Sequence, residues 1–484
     1  MPSTLRSHRL RRIIGAYTVN RLGTWFGFVA LSVAVFDHTH SALAVAALLI
    51  AGQALPAFAA PALAARVEAS SRRGVLSGLY VFEGVVTTLL AVLLWHFSLP
   101  AILILAALDG TAALAASALL RAETARAARE QAEVEWDAIR GKEDLETFAQ
   151  AAERQANATL NIAFSATFML GPAIAGVVVA AAGAPAALFI DAASFLICGG
   201  MLLDLRPHAE EAGELSVRAR LRAAWLHVNA VSTLRTLLLA EALALVFFDS
   251  AGPIEVAYAK TALHAGDRGY GLLLGAWGVG VVIGSFVFAR SPKRGLGTML
   301  TVGTLAMGLA YIAFSVAGSI GLASLAAVLG GVGNGVEWAS VISLVQRLTP
   351  PALHGRLMSA VESIGALSLA LGLALGGALV ALSSPRIAFL TVGIGATAMT
   401  FPFLWLVLHG LDRQTSGDAR TTDSRVPSTQ PWTPSDLPGT PSAQPHKATG
   451  DEHTPLVWAA ASASITAPEH LKSDKESAVK YDRD

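Results

Sequence analysis

Apolar runs of about 20 residues, the length that carries a helix across a bilayer, recur along the chain as far as residue 408. Lipid offers no partner to a free backbone N–H or C=O, so each run is predicted to be helical. The predicted spans cover 13–36, 42–65, 74–97, 100–121, 157–182, 185–205, 234–257, 269–290, 297–317, 320–346, 356–382 and 386–408. They fall into two sets of six, 13–205 and 234–408, joined by a polar linker at 206–233. A short segment, 1–12, precedes them and a long tail, 409–484, follows. The predicted class is an all-α polytopic membrane protein of about twelve transmembrane helices in two six-helix halves.

The polar connections alternate in charge. Arg66, Arg72 and Arg73, the arginines between Arg121 and Arg154, those of the 206–233 linker, and Arg290, Lys293 and Arg294 all fall on one side, with the basic amino terminus. The opposite side holds only Lys260, Arg268 and Arg386. Short cytoplasmic loops retain Lys and Arg, so both termini are expected in the cytoplasm, with the chain in the cell (inner) membrane. Arg6, Arg9, Arg11 and Arg12 ahead of an apolar stretch resemble a signal peptide. The stretch is longer than a secretory apolar core and lacks a small-residue cleavage site, so a retained first span is expected.

Composition agrees: 54% of residues are hydrophobic and 14% charged, where a soluble domain carries about a quarter charged. Lys plus Arg equals Asp plus Glu at 35 each, which gives no pull toward nucleic acid. Cys198 is the one cysteine and has no intrachain disulfide partner. Residues 123–156 mix Ala, Glu and Arg with Trp136, which suits equally a helix lying on the basic face and a solvated connector. The tail is rich in Ser, Thr, Pro and Asp and is expected to be disordered. Its apolar patch, Pro455 to Ala461, is too short to span.

Local motifs carry a resemblance. Pro61-Ala-Leu-Ala-Ala-Arg66, followed by Arg72-Arg73-Gly74, is similar to the G-x-L-A-D-R-x-x-R-R loop between helices 2 and 3 of the major facilitator superfamily. Ala65 stands where that family has Asp, so its cytoplasmic charge latch lacks the acid here, as does the equivalent loop at Arg290, Lys293 and Arg294. Simple positive-inside anchoring explains those residues equally well. Asn157-Ala-Thr-Leu-Asn161 with Leu170-Gly171-Pro172-Ala-Ile-Ala-Gly176, and Pro350-Pro351-Ala-Leu-His354-Gly355-Arg356-Leu-Met358-Ser, resemble a bacterial exporter branch with macrolide-efflux-like and siderophore-exporter-like members. The resemblance implies two pseudosymmetric halves, a cavity lined by helices 1, 4, 7 and 10, and an efflux antiporter with a small-molecule substrate.

Gly171, Pro172, Gly176, Gly280 and Gly284 are predicted to serve close helix packing. Gly278-Val-Gly280-Val-Val-Ile-Gly284 looks distantly like a nucleotide fingerprint, but it lies inside an apolar span with no strand before it. No phosphate-loop pattern exists to support direct ATP drive.

A charge near the bilayer centre costs about 2.5 to 3.5 kcal/mol on insertion scales, so ionisable residues there face a cavity or a partner. Arg21, Glu83, Asp109, Asp191, Glu241, Asp249, Glu255, Glu337 and Glu362 all fall inside predicted spans. Arg21 and Asp109 differ in depth by roughly 6 Å and could pair, either as a static bridge or as carboxylate and counter-charge of a proton site. On helix 7, Glu241 and Glu255 lie about 40° apart on the wheel and Asp249 about 80° from Glu241, so one face could carry all three. Glu255 is read as lying in the outer headgroup region, and Pro253 as a kink point. Asn20, Trp25 and Asn334 are candidate cavity residues, although each serves equally as helix-packing glue.

His38 and His40 beside Asp37 have metal-like spacing, but no metal site is expected from an exposed loop pair. Neither a cofactor nor enzymatic chemistry is expected, since no nucleophile, base and orienter gather in one place. The expected partners are the bilayer, a small-molecule substrate and a proton or other coupling ion, handled by a monomer. The leading reading is a proton-coupled exporter working by alternating access, and the alternative is a non-transporting sensor or scaffold of the same fold.

Overall fold

Serine side chains start several helices: Ser7, Ser41, Ser319 and Ser384 accept from the backbone N–H groups of Leu10, Ala44, Leu322 and Ile387. Where no side chain caps, glycine reverses the chain, as at Gly183 with φ 85° just ahead of Pro185. The computed structural model describes residues 7–70, 74–139, 145–203, 228–229, 231–349 and 354–412, all within one unit, Met1–Ser424.

The helices are α1 (His8–Thr39), α2 (Ala42–Ala64), α3 (Val75–His96), α4 (Leu99–Ile139), α5 (Leu145–Ala182) and α6 (Ala184–Met201), then α7 (Ser232–Ala262), α8 (Gly266–Ala289), α9 (Leu296–Val316), α10 (Ile320–Arg347), α11 (His354–Leu382) and α12 (Pro385–Leu408). Among the described residues, these 12 helices are long and apolar enough to cross a membrane. No strand occurs among those residues. The second unit, Arg425–Asp484, and most of the predicted linker and tail lie outside the described residues.

The two halves meet along two seams, α2 against α11 and α5 against α8. Advancing each helix by six exchanges one seam for the other, as two-fold pseudosymmetry requires. Close approaches at the seams lie on the side away from the chain termini. A Cβ at Gly176 would lie 2.8 Å from the Gly271 Cα, one at Gly275 3.0 Å from the Ala173 Cβ, and one at Gly377 2.8 Å from the Ala46 Cβ. On that same side Lys260 of α7 pairs with Asp37 at the end of α1, and with Asp267 at 2.6 Å.

Residues 123–156 differ from a helix lying on the membrane face. α4 and α5 continue without a break through the span and beyond it as an antiparallel pair. At 41 residues α4 is about twice the length a bilayer needs. The reason is an alanine seam: Ala127, Ala128, Ala132, Ala149, Ala152 and Ala156 are all buried, so the two backbones approach closely. Arg9 holds α1 to this pair through Glu123 and Glu130, each at 2.5 Å, and Arg129 of α4 pairs with Glu146 and Glu153 of α5.

α7 breaks at Ser250, three residues before Pro253. Proline has no N–H for the Asp249 carbonyl four residues back, and the helix opens there. α11 closes on the break, where a Cβ at Gly376 would lie 3.0 Å from the Pro253 ring, and Tyr311 donates to the Phe248 carbonyl at 3.1 Å.

Candidate carboxylate sites of the two halves

In the first half, Gly23 and Gly27 on one face of α1 leave a slot that the Asp191 carboxylate of α6 fills. A Cβ at Gly23 would lie 2.8 Å from Asp191 Oδ1 and 2.7 Å from the Ser194 Cβ, and one at Gly27 would run into Oδ2. Glu83 of α3 is fully buried, and neither of its carboxyl oxygens meets a protein donor. Asp109, Asp191 and Arg21 all lie within electrostatic range of it. Asp109 is half-buried and accepts from the Thr87 hydroxyl at 3.3 Å.

No ion pair joins Arg21 to Asp109, although their depths allow one. The Arg21 guanidinium lies instead over the Phe164 ring at 5.4 Å and the Tyr17 ring at 5.7 Å. Helix rotation explains the difference. Gly110 is pressed so tightly on α2 that a Cβ there would lie 2.9 Å from the Pro56 ring, and this turns the adjacent Asp109 toward α3. The sequence pointed to Asp109 but not to Glu83 and Asp191 as its company, because α3 and α6 are not among the helices the resemblance assigns to the cavity. The signal that could have found them is the Gly23-x-x-x-Gly27 spacing, which marks the face of α1 that admits a foreign side chain.

In the second half, Glu241 of α7 and Glu337 of α10 are both buried, with their carboxyls within electrostatic range of each other. Gly303 lets Glu337 seat on α9, where a Cβ would lie 2.9 Å from that of Glu337. No side chain donates to either oxygen of Glu241. Half-buried Asp249 lies within electrostatic range of both glutamates. Glu241 and Asp249 line a cavity of about 270 Å³ between α7, α10 and α11, with Trp338 at its wall. Glu362 lies on α11, and its side chain is outside the described residues.

With this geometry in hand, residues 237–465 match the family model described as Major Facilitator Superfamily. Solved structures align over most of the chain. A nucleoside transporter, NupG, superposes with a TM-score of 0.62 at 13% identity, covering 83% of this chain and 99% of its own. A POT family transporter in complex with a thioalcohol-conjugated peptide gives 0.57 at 12%, covering 83% and 96%. The human organic anion transporter MFSD10 (TETRAN) gives 0.50 at 17%, covering 81% and 99%. The chain has the fold of these solved transporters. No curated protein matches the sequence.

In that fold the remaining candidates take distinct positions. Trp25 stacks edge-on to Phe28 and Phe168 and covers Gly171, where a Cβ would lie 2.5 Å from its ring. Pro172 is buried in α5, its carbonyl against Gly271. Asn334 accepts from the Trp277 indole at 3.4 Å and so ties α10 to α8. A Cβ at Gly280 would lie 2.8 Å from the Gly331 Cα, and one at Gly284 3.0 Å from the Val332 Cα. Asn20 is half-buried on α1. Of the basic-loop residues, Arg66 and Arg290 are exposed and Arg290 lies over the Phe286 ring, while Lys293 and Arg294 sit in the exposed turn before α9. Arg72 and Arg73 are outside the described residues.

Three further placements differ from or refine the sequence reading. Glu255 is buried beside Pro253 and near Tyr270 rather than in a headgroup layer, because the broken α7 turns it inward. His38 is stacked on Phe97 at 4.3 Å, with Nδ1 on the Ala34 carbonyl, and Asp37 is engaged by Lys260. Arg386 donates to the Ser315 and Ala317 carbonyls at 3.1 and 2.8 Å, so two of the three basic residues on the sparse side are structural.

Proposed function

We propose that the chain is a secondary active transporter: a proton-coupled exporter of a small organic molecule, working by alternating access in the cell membrane with both termini cytoplasmic. The carrying observation is that each half holds its own group of carboxyls, buried Glu83 and Asp191 with half-buried Asp109 in one, and buried Glu241 and Glu337 with half-buried Asp249 in the other. Such groups are costly inside a membrane and have no structural need of one another. Solved proteins of this fold include carriers named for nucleosides, peptides and organic anions, which supports movement of a small solute. Export follows from the sequence resemblance. The seams on the side away from the termini and the Lys260–Asp37 pair support a state closed to the outside and open to the cytoplasm.

The test is reconstitution in liposomes with an imposed pH gradient, recording internal pH as candidate solutes are added. A solute-dependent proton flux absent from empty liposomes is expected. A protein that binds solutes but moves neither solute nor proton would be a sensor or scaffold.

A further inference from the structure

The cavity beside Glu241 has an unusual lining for an uncharged ligand. Its walls are aliphatic, from Val341, Ile364 and Leu369 among others, with the Trp338 indole on one side, and among the described residues its ionisable lining groups are the carboxyls of Glu241 and Asp249. Among the described residues, no Lys, Arg, His, Asn or Gln lines it. Glu241 is 3% exposed, its two oxygens meet no donor, and its nearest polar neighbour is another carboxyl. An anionic guest would set a like charge against that carboxyl, and a neutral one would bring no charge to offset it in an apolar cavity. A guest with an ammonium group would place a positive charge against the carboxyls and the face of Trp338, which is half-exposed and therefore reachable.

Resting on the transport reading above, we propose that the α7–α10–α11 cavity is a substrate site selective for organic cations: a single ammonium centre carried on a compact apolar body. The ammonium sits between Glu241 and Asp249 with one face on Trp338, and the apolar body lies against Val341, Ile364 and Leu369. At about 270 Å³ the space suits a body of one aromatic ring or its aliphatic equivalent rather than a large drug.

The test is calorimetric titration of the detergent-purified full chain with phenyltrimethylammonium, a permanent cation, and with its neutral isostere tert-butylbenzene. Saturable cation binding at one site is expected, at least about ten-fold tighter than the isostere, and weakened about ten-fold or more by Asp249→Asn and by Glu241→Gln. Trp338→Leu should weaken the cation several-fold and leave the isostere unchanged. Asp249 and Trp338 are only partly buried, so those two variants keep the test valid should Glu241→Gln fail to fold. Equal binding of the isostere, or wild-type cation affinity in Asp249→Asn, overturns the proposal. A proton flux driven only by anionic or neutral solutes would also overturn it while leaving the transport reading intact. Cation binding with no flux for any solute would sink the transport reading alone.

Discussion

Lys260, near the end of α7 away from the termini, pairs with Asp37 at the end of α1, and so ties one half of the molecule to the other on a single face. Asp267 at 2.6 Å holds the same ammonium from α8. A transporter that alternates must break this contact to open on that face.

Lys260→Met should therefore shift the balance toward the state open on that side. A partly exposed pair is worth ~0.5–1 kcal/mol, so the open-to-closed ratio should rise about two- to five-fold. Spin labels at Thr39→Cys and His264→Cys, with Cys198→Ala, would report this as a longer distance population. An unchanged distribution would make the pair ornamental.

Gly27→Ala forces a methyl into the Asp191 carboxylate. Overpacking of this kind costs about 1–3 kcal/mol, and the detergent melting temperature should fall. Adding Asp191→Ala empties the slot and should recover most of the loss. A melting temperature unaffected by Gly27→Ala would show that the slot is looser than drawn.

Arg21 and Asp109 do not touch, so their substitutions should act independently. Arg21→Gln and Asp109→Asn should add within about 0.5 kcal/mol in melting experiments, and the double variant should show no rescue. Asp109→Asn alone should be mild in stability, because the amide oxygen still accepts from Thr87. Mutual rescue would restore the ion pair that depth alone suggested.

The twelve spans were legible because every one has about the length a bilayer needs or more, and is bounded by charge or by glycine and proline. What depth and period do not contain is rotation about the helix axis. The phase of α4 is set by Gly110 against α2, and that phase decided that Asp109 meets Thr87 rather than Arg21. The same limit hid Glu83 and Asp191, whose company depends on glycines of a neighbouring helix. In the second half, Glu241 and Asp249 were visible as candidates on one helix face, but their meeting with Glu337 needed the packing of α9 and α10. The α4–α5 extension was ambiguous because alanine reads alike in an exposed helix and in a close seam.

That seam gives its own prediction. Ala152 is fully buried between the helices outside the span, so Ala152→Leu should wedge them apart at a cost of about 1–3 kcal/mol. Limited proteolysis should then cut near residues 140–144 faster than in the parent protein. An unaltered digestion rate would argue against the helix pair.

The most direct test of the coupling claim is to separate exchange from proton-driven flux in one variant. Glu241→Gln keeps the shape of the side chain and removes its proton exchange. In liposomes, solute counterflow at equal pH should persist in this variant once the solute concentration is raised at least about ten-fold to offset its weaker binding, while solute-dependent proton movement under a pH gradient should fall to the level of empty liposomes. Proton movement at the wild-type rate in Glu241→Gln would contradict the assignment of coupling to this carboxyl.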